Sequence, residues 1–313
     1  MTDTAIPTMP TAPLAGSLAP ARRPAAGLIY GLIGVVIFSG SLPVTKIGLN
    51  GLDASFLSLA RAALAGVVAL GLLALARPRR PSARDVPGLA VVALGAVIGF
   101  PLLSALAMRW MPSTHAIVFS GLLPISTAVF GALRGGDRPR APFWIFSCVG
   151  AIAIATYALA PAILAGGFHL APGDGLMILA IAVCGLAYAE GARLSRHLGG
   201  WPVICWALVL SLPLMAPLAW ATFPADWRAV PLPAWGALAY VTVFSMLLGF
   251  FFWYHGLSLG GTAAVGQVQL LQPFCSFGLA AMLLGEPVGP AVLGTALVVV
   301  LCVAGARRAA RRG

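Results

Sequence analysis

The chain has 313 residues, of which 60% are hydrophobic and 9% charged, with a formal net charge of +11. Soluble domains carry about 25% charged residues, and a soluble chain of this length could not hide so much apolar surface, so a water-soluble globular protein is excluded. The basic residues are scattered through short gaps between apolar runs and form no single basic module, which argues against nucleic acid as a partner.

Residues 1–26, MTDTAIPTMPTAPLAGSLAPARRPAA, are rich in Pro, Ala and Thr. Proline blocks a continuous helix, and the segment is expected to be a disordered cytoplasmic tail. Arg22 and Arg23 precede a stretch of full spanning length, so that stretch is expected to be a retained first span and not a cleaved signal peptide. A bilayer core about 30 Å thick needs about 20 helical residues. Ten segments qualify: 27–46, 54–76, 86–108, 113–133, 142–162, 174–194, 201–222, 233–257, 262–284 and 288–306. They are apolar all round and lack the period-two alternation of barrel strands, so they are helices.

Span one carries Ser39, Gly40, Ser41 and Pro43. Small residues let helices approach closely in lipid, and Pro43 is a candidate hinge. Arg61 lies eight residues into span two, a depth of about 12 Å by helical rise. It is either a counter-ion for an anionic substrate group or a structural charge bonded to backbone carbonyls. Span four opens near His115, expected to be interfacial, and holds Pro124, a second candidate hinge. Span six carries Tyr188, a candidate stacking residue, and Glu190, the one acid well inside an apolar segment. Glu190 is a candidate proton-coupling group; the alternative is an ion pair with Arg193, three residues on. His169 and His197 fall in expected loops.

Span eight ends in FFWYHG, where Trp253 belongs either to an interfacial aromatic belt or to a cavity wall. Span nine holds Gln267, Gln269 and Gln272, then Pro273, a third candidate hinge. Three amides in one apolar helix either bind substrate or bond neighbouring helices. Gln269, Gln272 and Ser276 share one stripe, and Gln267 points elsewhere. Residues 307–313 form a basic cytoplasmic tail. Five cysteines all lie in apolar segments without CxxC spacing, so neither a disulfide framework nor a metal site is indicated.

The tails and alternate gaps hold fifteen of the nineteen Lys and Arg residues; the opposite gaps hold Lys46, Arg109 and Arg228, and Arg61 lies within a span. Cytoplasmic loops carry the positive excess, so both termini are expected on the cytoplasmic side and the number of spans is even. The segment 112–137 can be laid over 261–286 with Pro124 on Pro273 and Asp137 on Glu286. Two repeats of five spans are odd-numbered, so they cross the membrane in opposite senses. The fold expected is therefore an all-α integral membrane protein of ten transmembrane helices in two inverted five-helix repeats, 27–162 and 163–306.

FSGSLPVTKIGL (38–49) resembles the aromatic-Gly-Ser…Lys signature of EamA-type transporters of the drug/metabolite transporter superfamily. FFWYHGLSLGGTAAVGQVQLLQPFCSFGLAAMLLGEP (251–287) resembles the second EamA repeat, and Arg61 in SLARAALAG fits the second helix of that family. The resemblance implies a ten-helix carrier whose helices one, three, four, six, eight and nine line a central cavity. It implies export of small metabolites or drugs, amino acids among them, across the cytoplasmic (inner) membrane by alternating access. Ser39, Arg61, Tyr188, Trp253, Gln267, Gln269 and Gln272 are the candidate cavity residues. A small-molecule substrate and the lipid bilayer are the expected partners, protons are a candidate coupling ion, and the protein is expected to be a monomer or homodimer. No cofactor is expected. The sequence lacks a nucleotide-binding P-loop. An intramembrane enzyme would need clustered catalytic groups, and a non-transporting sensor or assembly subunit would need extramembrane surface that these short loops do not supply.

Overall fold

The computed structural model describes residues 24–134, 140–164 and 172–285, together with single positions between 290 and 308. The expected tail before residue 24, the Asp137–Glu286 correspondence and most of the tenth span lie outside the described residues. Among the described residues the structure is helical, with seven helices long and apolar enough to cross a membrane. They are α1 (Pro24–Gly48), α2 (Ala54–Ala76), α3 (Val86–Ala107), α6 (Pro172–Leu198), α7 (Gly200–Ala221), α8 (Leu232–Gly260) and α9 (Thr262–Leu284). Between α3 and α6 stand α4, made of two short pieces, Ser113–Ser120 and Leu123–Arg134, and α5 (Ala141–Leu164). Large apolar side chains face outward, with Leu75, Trp220, Leu232 and Met282 each more than 80% exposed. Lipid solvates such a surface where water would not.

Local chemistry sets the helix ends. Asp53 caps α2 by accepting from the Ser55 amide at 2.8 Å. Arg77 ends the same helix in the left-handed region, φ 43°. α6 passes into α7 through Gly199 (φ 92°), and α8 into α9 through Gly261 (φ 87°). Both turns need a backbone conformation that glycine adopts without strain, which lets each helix pair join with no loop between. α6 therefore runs past its expected end at 194. Arg193, Arg196 and His197 lie in its last turns, and His197 is not in a loop.

The core is built from three seams. The first part of α1 packs on the end of α8, and the Ser41–Gly48 turn of α1 packs on Leu232–Tyr240, so the two helices run antiparallel along their lengths. α6 packs along α3 in the same way, and α2 packs on α7. The α1–α8 seam is a contact of backbones. A Cβ added at Gly256 would stand 2.7 Å from the Gly31 nitrogen and 2.8 Å from the Gly27 carbonyl oxygen. Without a hydrophobic driving force in lipid, such close approach maximises dispersion contact.

Irregular backbone occurs in α3 and α4 and again in α8 and α9. α3 is π-helical over Ala93–Gly99 and α8 over Val241–Leu248. α4 breaks between Ser120 and Leu123, and α9 tightens to a 3-10 turn over Gln267–Leu271. Each break is followed by a proline, Pro124 or Pro273, in the first turn of the next piece, where its missing N–H costs no hydrogen bond. Pro43 likewise follows a break in α1 at Gly40. π-segments cluster at functional sites, and residues in or beside each of these irregular segments line one cavity.

Candidate functional site

A central cavity lies where the irregular segments meet. α1 contributes Phe38, Ser41, Leu42 and Thr45 to its wall, and α2 contributes Arg61. Ala96, Phe100, Pro101 and Ser104 come from the π-segment of α3 and the turn after it, and Leu123 from α4. α6 supplies Cys184 and Tyr188, α8 supplies Ser245 and Phe250, and α9 supplies Gln272. The free space is small. The cavity volume is about 30 Å³, room for about two waters.

Arg61 is the charged group of this wall. Its side chain is 6% exposed, and Nη2 donates to Ser245 Oγ at 3.1 Å. Ser245 Oγ in turn shares a 2.7 Å hydrogen bond with Ser41 Oγ. The buried Arg61 Nε has no partner, and no carboxylate pairs with the guanidinium among the described residues. The family resemblance implied a second helix outside the main wall; through Arg61, α2 joins it. Ser58, one turn earlier on α2, donates to the Pro101 carbonyl at 3.2 Å and ties α2 to α3 beside the cavity.

One side of the cavity is an aromatic cluster. Phe38 meets Phe250 edge-on at 5.0 Å between ring centroids. Tyr188 meets Phe250 at 5.8 Å and Trp253 at 5.5 Å. Trp253 is fully buried in this cluster and stands behind the wall, not in it.

The other candidate residues separate in the same way. Gln272 lines the cavity. Gln267 points away and donates to Ser147 Oγ on α5 at 2.9 Å, which makes it a helix-joining amide. Gln269 is 1% exposed and stands outside the wall, with both ends of its amide unpartnered. Ser39 donates to the Val35 carbonyl at 2.7 Å and more weakly, at 3.4 Å, to the Gln272 carbonyl, so it joins α1 to α9. Arg61, Tyr188 and Gln272 are thus brought together around one space, while Ser39, Trp253, Gln267 and Gln269 pack around it. Ser41, Thr45, Ser104 and Ser245 complete the polar part of the wall. In sequence an isolated hydroxyl residue in an apolar helix looks the same whether it packs or lines a cavity.

Glu190 lies away from the cavity. It is 3% exposed, and its Oε1 accepts from Arg193 Nη2 at 2.5 Å and Nε at 3.1 Å, while Oε2 has no partner. Gly88 at the start of α3 covers the pair: a Cβ there would stand 2.6 Å from Glu190 Oε1. One turn further, His197 on α6 meets Asp85 at 2.9 Å. Partial burial pushes the Asp85 carboxyl up, but hydrogen bonds from the Ser82 hydroxyl and amide and from His197 outweigh it and hold the group down at about 2. The Asp85–His197 pair fastens the start of α3 to the end of α6, while the Glu190–Arg193 pair lies within α6. Elsewhere, His115 on α4 meets Asp174 at the start of α6 at 3.2 Å. Among the described residues no group of His, Cys, Asp and Glu has the clustering of a metal site.

Comparison with known proteins adds independent findings. The EamA-like transporter family model matches residues 25–159 and again 171–307. Over 285 residues the chain is 56% identical to an uncharacterized transporter of Bacillus subtilis, YdeK, covering 91% of this chain and 98% of that protein. Over 269 residues it is 26% identical to a probable terminal-alkyne amino-acid exporter of Streptantibioticus cattleyicolor, covering 84% of this chain and 87% of that one. A solved crystal structure superposes with a TM-score of 0.71 over 92% of this chain and 98% of its own, at 20% identity, a likeness of fold alone.

Proposed function

The chain belongs to the EamA-like transporter family, and from that premise we propose that it exports small polar metabolites, amino acids or related compounds, across the cytoplasmic membrane by alternating access. The proposed frame is ten helices in two inverted five-helix repeats with both termini cytoplasmic. The charge distribution along the sequence supports that topology. The paired π-segments of α3 and α8, and the paired breaks of α4 and α9, support the repeat. Inverted repeats place the substrate between their halves near the midplane.

The observation that carries the reading is Arg61: a buried guanidinium on a cavity wall, with one hydrogen bond made and no acid beside it. A charge at that depth is expensive, and is kept where it binds something. Carboxylates fit it, because the guanidinium offers a planar fork of donors. Substrate enters as the aromatic cluster and the proline-marked breaks shift, since the cavity as it stands admits about two waters. The Asp85–His197 pair acts as a latch between α3 and α6, and Glu190 is held by Arg193 on its own helix. That geometry favours the ion-pair reading of Glu190 over a proton carrier.

Counterflow in proteoliposomes tests the proposal. A panel of labelled amino acids, their oxo acids and amides is offered to vesicles loaded with the unlabelled compound. Exchange of at least one carboxylate, lost in Arg61→Gln while the variant elutes as a monodisperse folded protein, is the expected result. Full exchange in Arg61→Gln would remove Arg61 from the site.

A further inference from the structure

The cavity's charge composition narrows the cargo and names the driving force. Among the described residues of the wall there is one cation, Arg61, and neither a carboxylate nor an imidazole. We infer that the transported species is a small organic monoanion with an apolar body, moved electrogenically and without a coupled proton, so that the membrane potential itself drives export. The inference rests on the proposed transport reading and deepens it.

A buried cation in a closed, low-dielectric space is stabilised by one compensating negative charge. A monocarboxylate supplies it and leaves the loaded cavity neutral. Two groups are placed for its oxygens: the Arg61 guanidinium, and the Ser41–Ser245 hydroxyl pair bonded to it. A zwitterion brings the same carboxylate together with an ammonium, and the loaded cavity keeps a net positive charge. That ammonium finds no acid on the wall. It meets the rings of Phe38, Tyr188 and Phe250, the Gln272 amide and the hydroxyls of Thr45 and Ser104, neutral groups that compensate a cation less than a carboxylate does. An amide or an amine lacks the anion altogether. The aromatic rings suit an aliphatic or aromatic body in place of the ammonium.

The absence of an acid or histidine on the described wall bears on coupling. Arginine stays protonated throughout the physiological range, so Arg61 carries no proton in exchange for substrate. The buried acid nearest in kind, Glu190, is taken up by Arg193 outside the wall. A monoanion released from an interior-negative cell needs no such partner. The potential alone favours the outside by about 50-fold per 100 mV for one elementary charge.

The test uses the purified full chain in proteoliposomes with potassium diffusion potentials set by valinomycin. The probes are labelled 4-methyl-2-oxopentanoate, a monoanion, and leucine, a zwitterion on the same carbon skeleton. Protein-free vesicles set the baseline. Interior-positive vesicles are expected to accumulate the oxo acid, approaching about 50-fold per 100 mV, and interior-negative vesicles to exclude it. A pH gradient of either sign at zero potential is expected to change nothing. Arg61→Gln abolishes accumulation, and Arg61→Lys, which keeps the charge, retains the dependence on potential at a lower rate. Leucine moving as fast as the oxo acid, oxo-acid uptake indifferent to potential, accumulation driven by a pH gradient, or no movement of the oxo acid each overturns the inference. In the first three cases the carrier reading stands. It falls as well only where the counterflow panel also yields no exchange of any solute.

Discussion

Replacing Gly256 by alanine tests the α1–α8 seam, which carries Phe38, Ser41, Ser245 and Phe250 to the cavity. The new Cβ would stand 2.7 Å from the Gly31 nitrogen, 2.8 Å from the Gly27 oxygen and 3.1 Å from the Gly31 Cα. All three are backbone atoms, so no rotamer change relieves the overlap. Ordinary contact begins near 3.4 Å, and the two backbones must separate by about 0.7 Å, an overpacking that costs about 1–3 kcal/mol. Alanine also gains about 1 kcal/mol of helix propensity over glycine. Gly278→Ala on α9 is the matched control, because a Cβ there meets nothing within 4 Å. The propensity gain cancels between the two variants, and the difference in stability is the overpacking alone. Thermal denaturation of the detergent-purified proteins, at one scan rate because unfolding of such proteins is commonly irreversible, is expected to rank Gly278→Ala above Gly256→Ala by on the order of 5 °C. Equal melting of the two variants would refute the backbone-contact account of this seam.

Three further outcomes follow from the same geometry. Glu190→Gln removes a charge whose partner Arg193 is 41% exposed on its side chain, so stability is expected to change by less than about 1 kcal/mol and the pH profile of transport to stay as in the parent protein; a lost or displaced pH profile would restore Glu190 as a proton carrier. Asp85 is held down at about 2, so its pairing stabilises the fold above the ordinary carboxylate range and is lost as pH falls through about 2. The melting difference between the parent and Asp85→Asn is accordingly full at pH 6 and shrinks only below about pH 4, and a difference that instead grows in acid would contradict the assignment. Trp253→Ala empties a fully buried site and is expected to cost about 3–5 kcal/mol of stability, with the KM of the folded fraction little changed; a large rise in KM at unchanged stability would place Trp253 in the wall.

The helices, their order and their lipid-facing surface were legible in the sequence because lipid imposes a strong and uniform constraint: runs of about 20 apolar residues. The irregular backbone was only half legible. Pro124 and Pro273 marked the breaks of α4 and α9, but nothing in ALGAVIG or VTVFSMLL announces a π-segment, since the wider turn comes from packing and not from composition. Of the polar residues, Arg61 stood out by its charge, and the structure placed it on the cavity wall. The three glutamines were indistinguishable by type. Their fates depend on which neighbour each faces, as the bond from Gln267 to Ser147 shows. Ser245 escaped notice because a lone serine in an apolar helix commonly bonds its own backbone, as Ser195 does to the Gly191 carbonyl. The length of α6 was underestimated because its last turns are polar, although Gly199 signalled the true end.

Alternating access requires a single cavity reached in turn from each side of the membrane. Ser104 lines that cavity and is 3% exposed. In a variant whose five native cysteines are replaced and Ser104 is changed to Cys, a membrane-impermeant thiol reagent is applied to right-side-out and to inverted vesicles. Alternating access predicts labelling from both faces, slowed in each case by a transported substrate. Labelling from one face only, or from neither during active exchange, would contradict it.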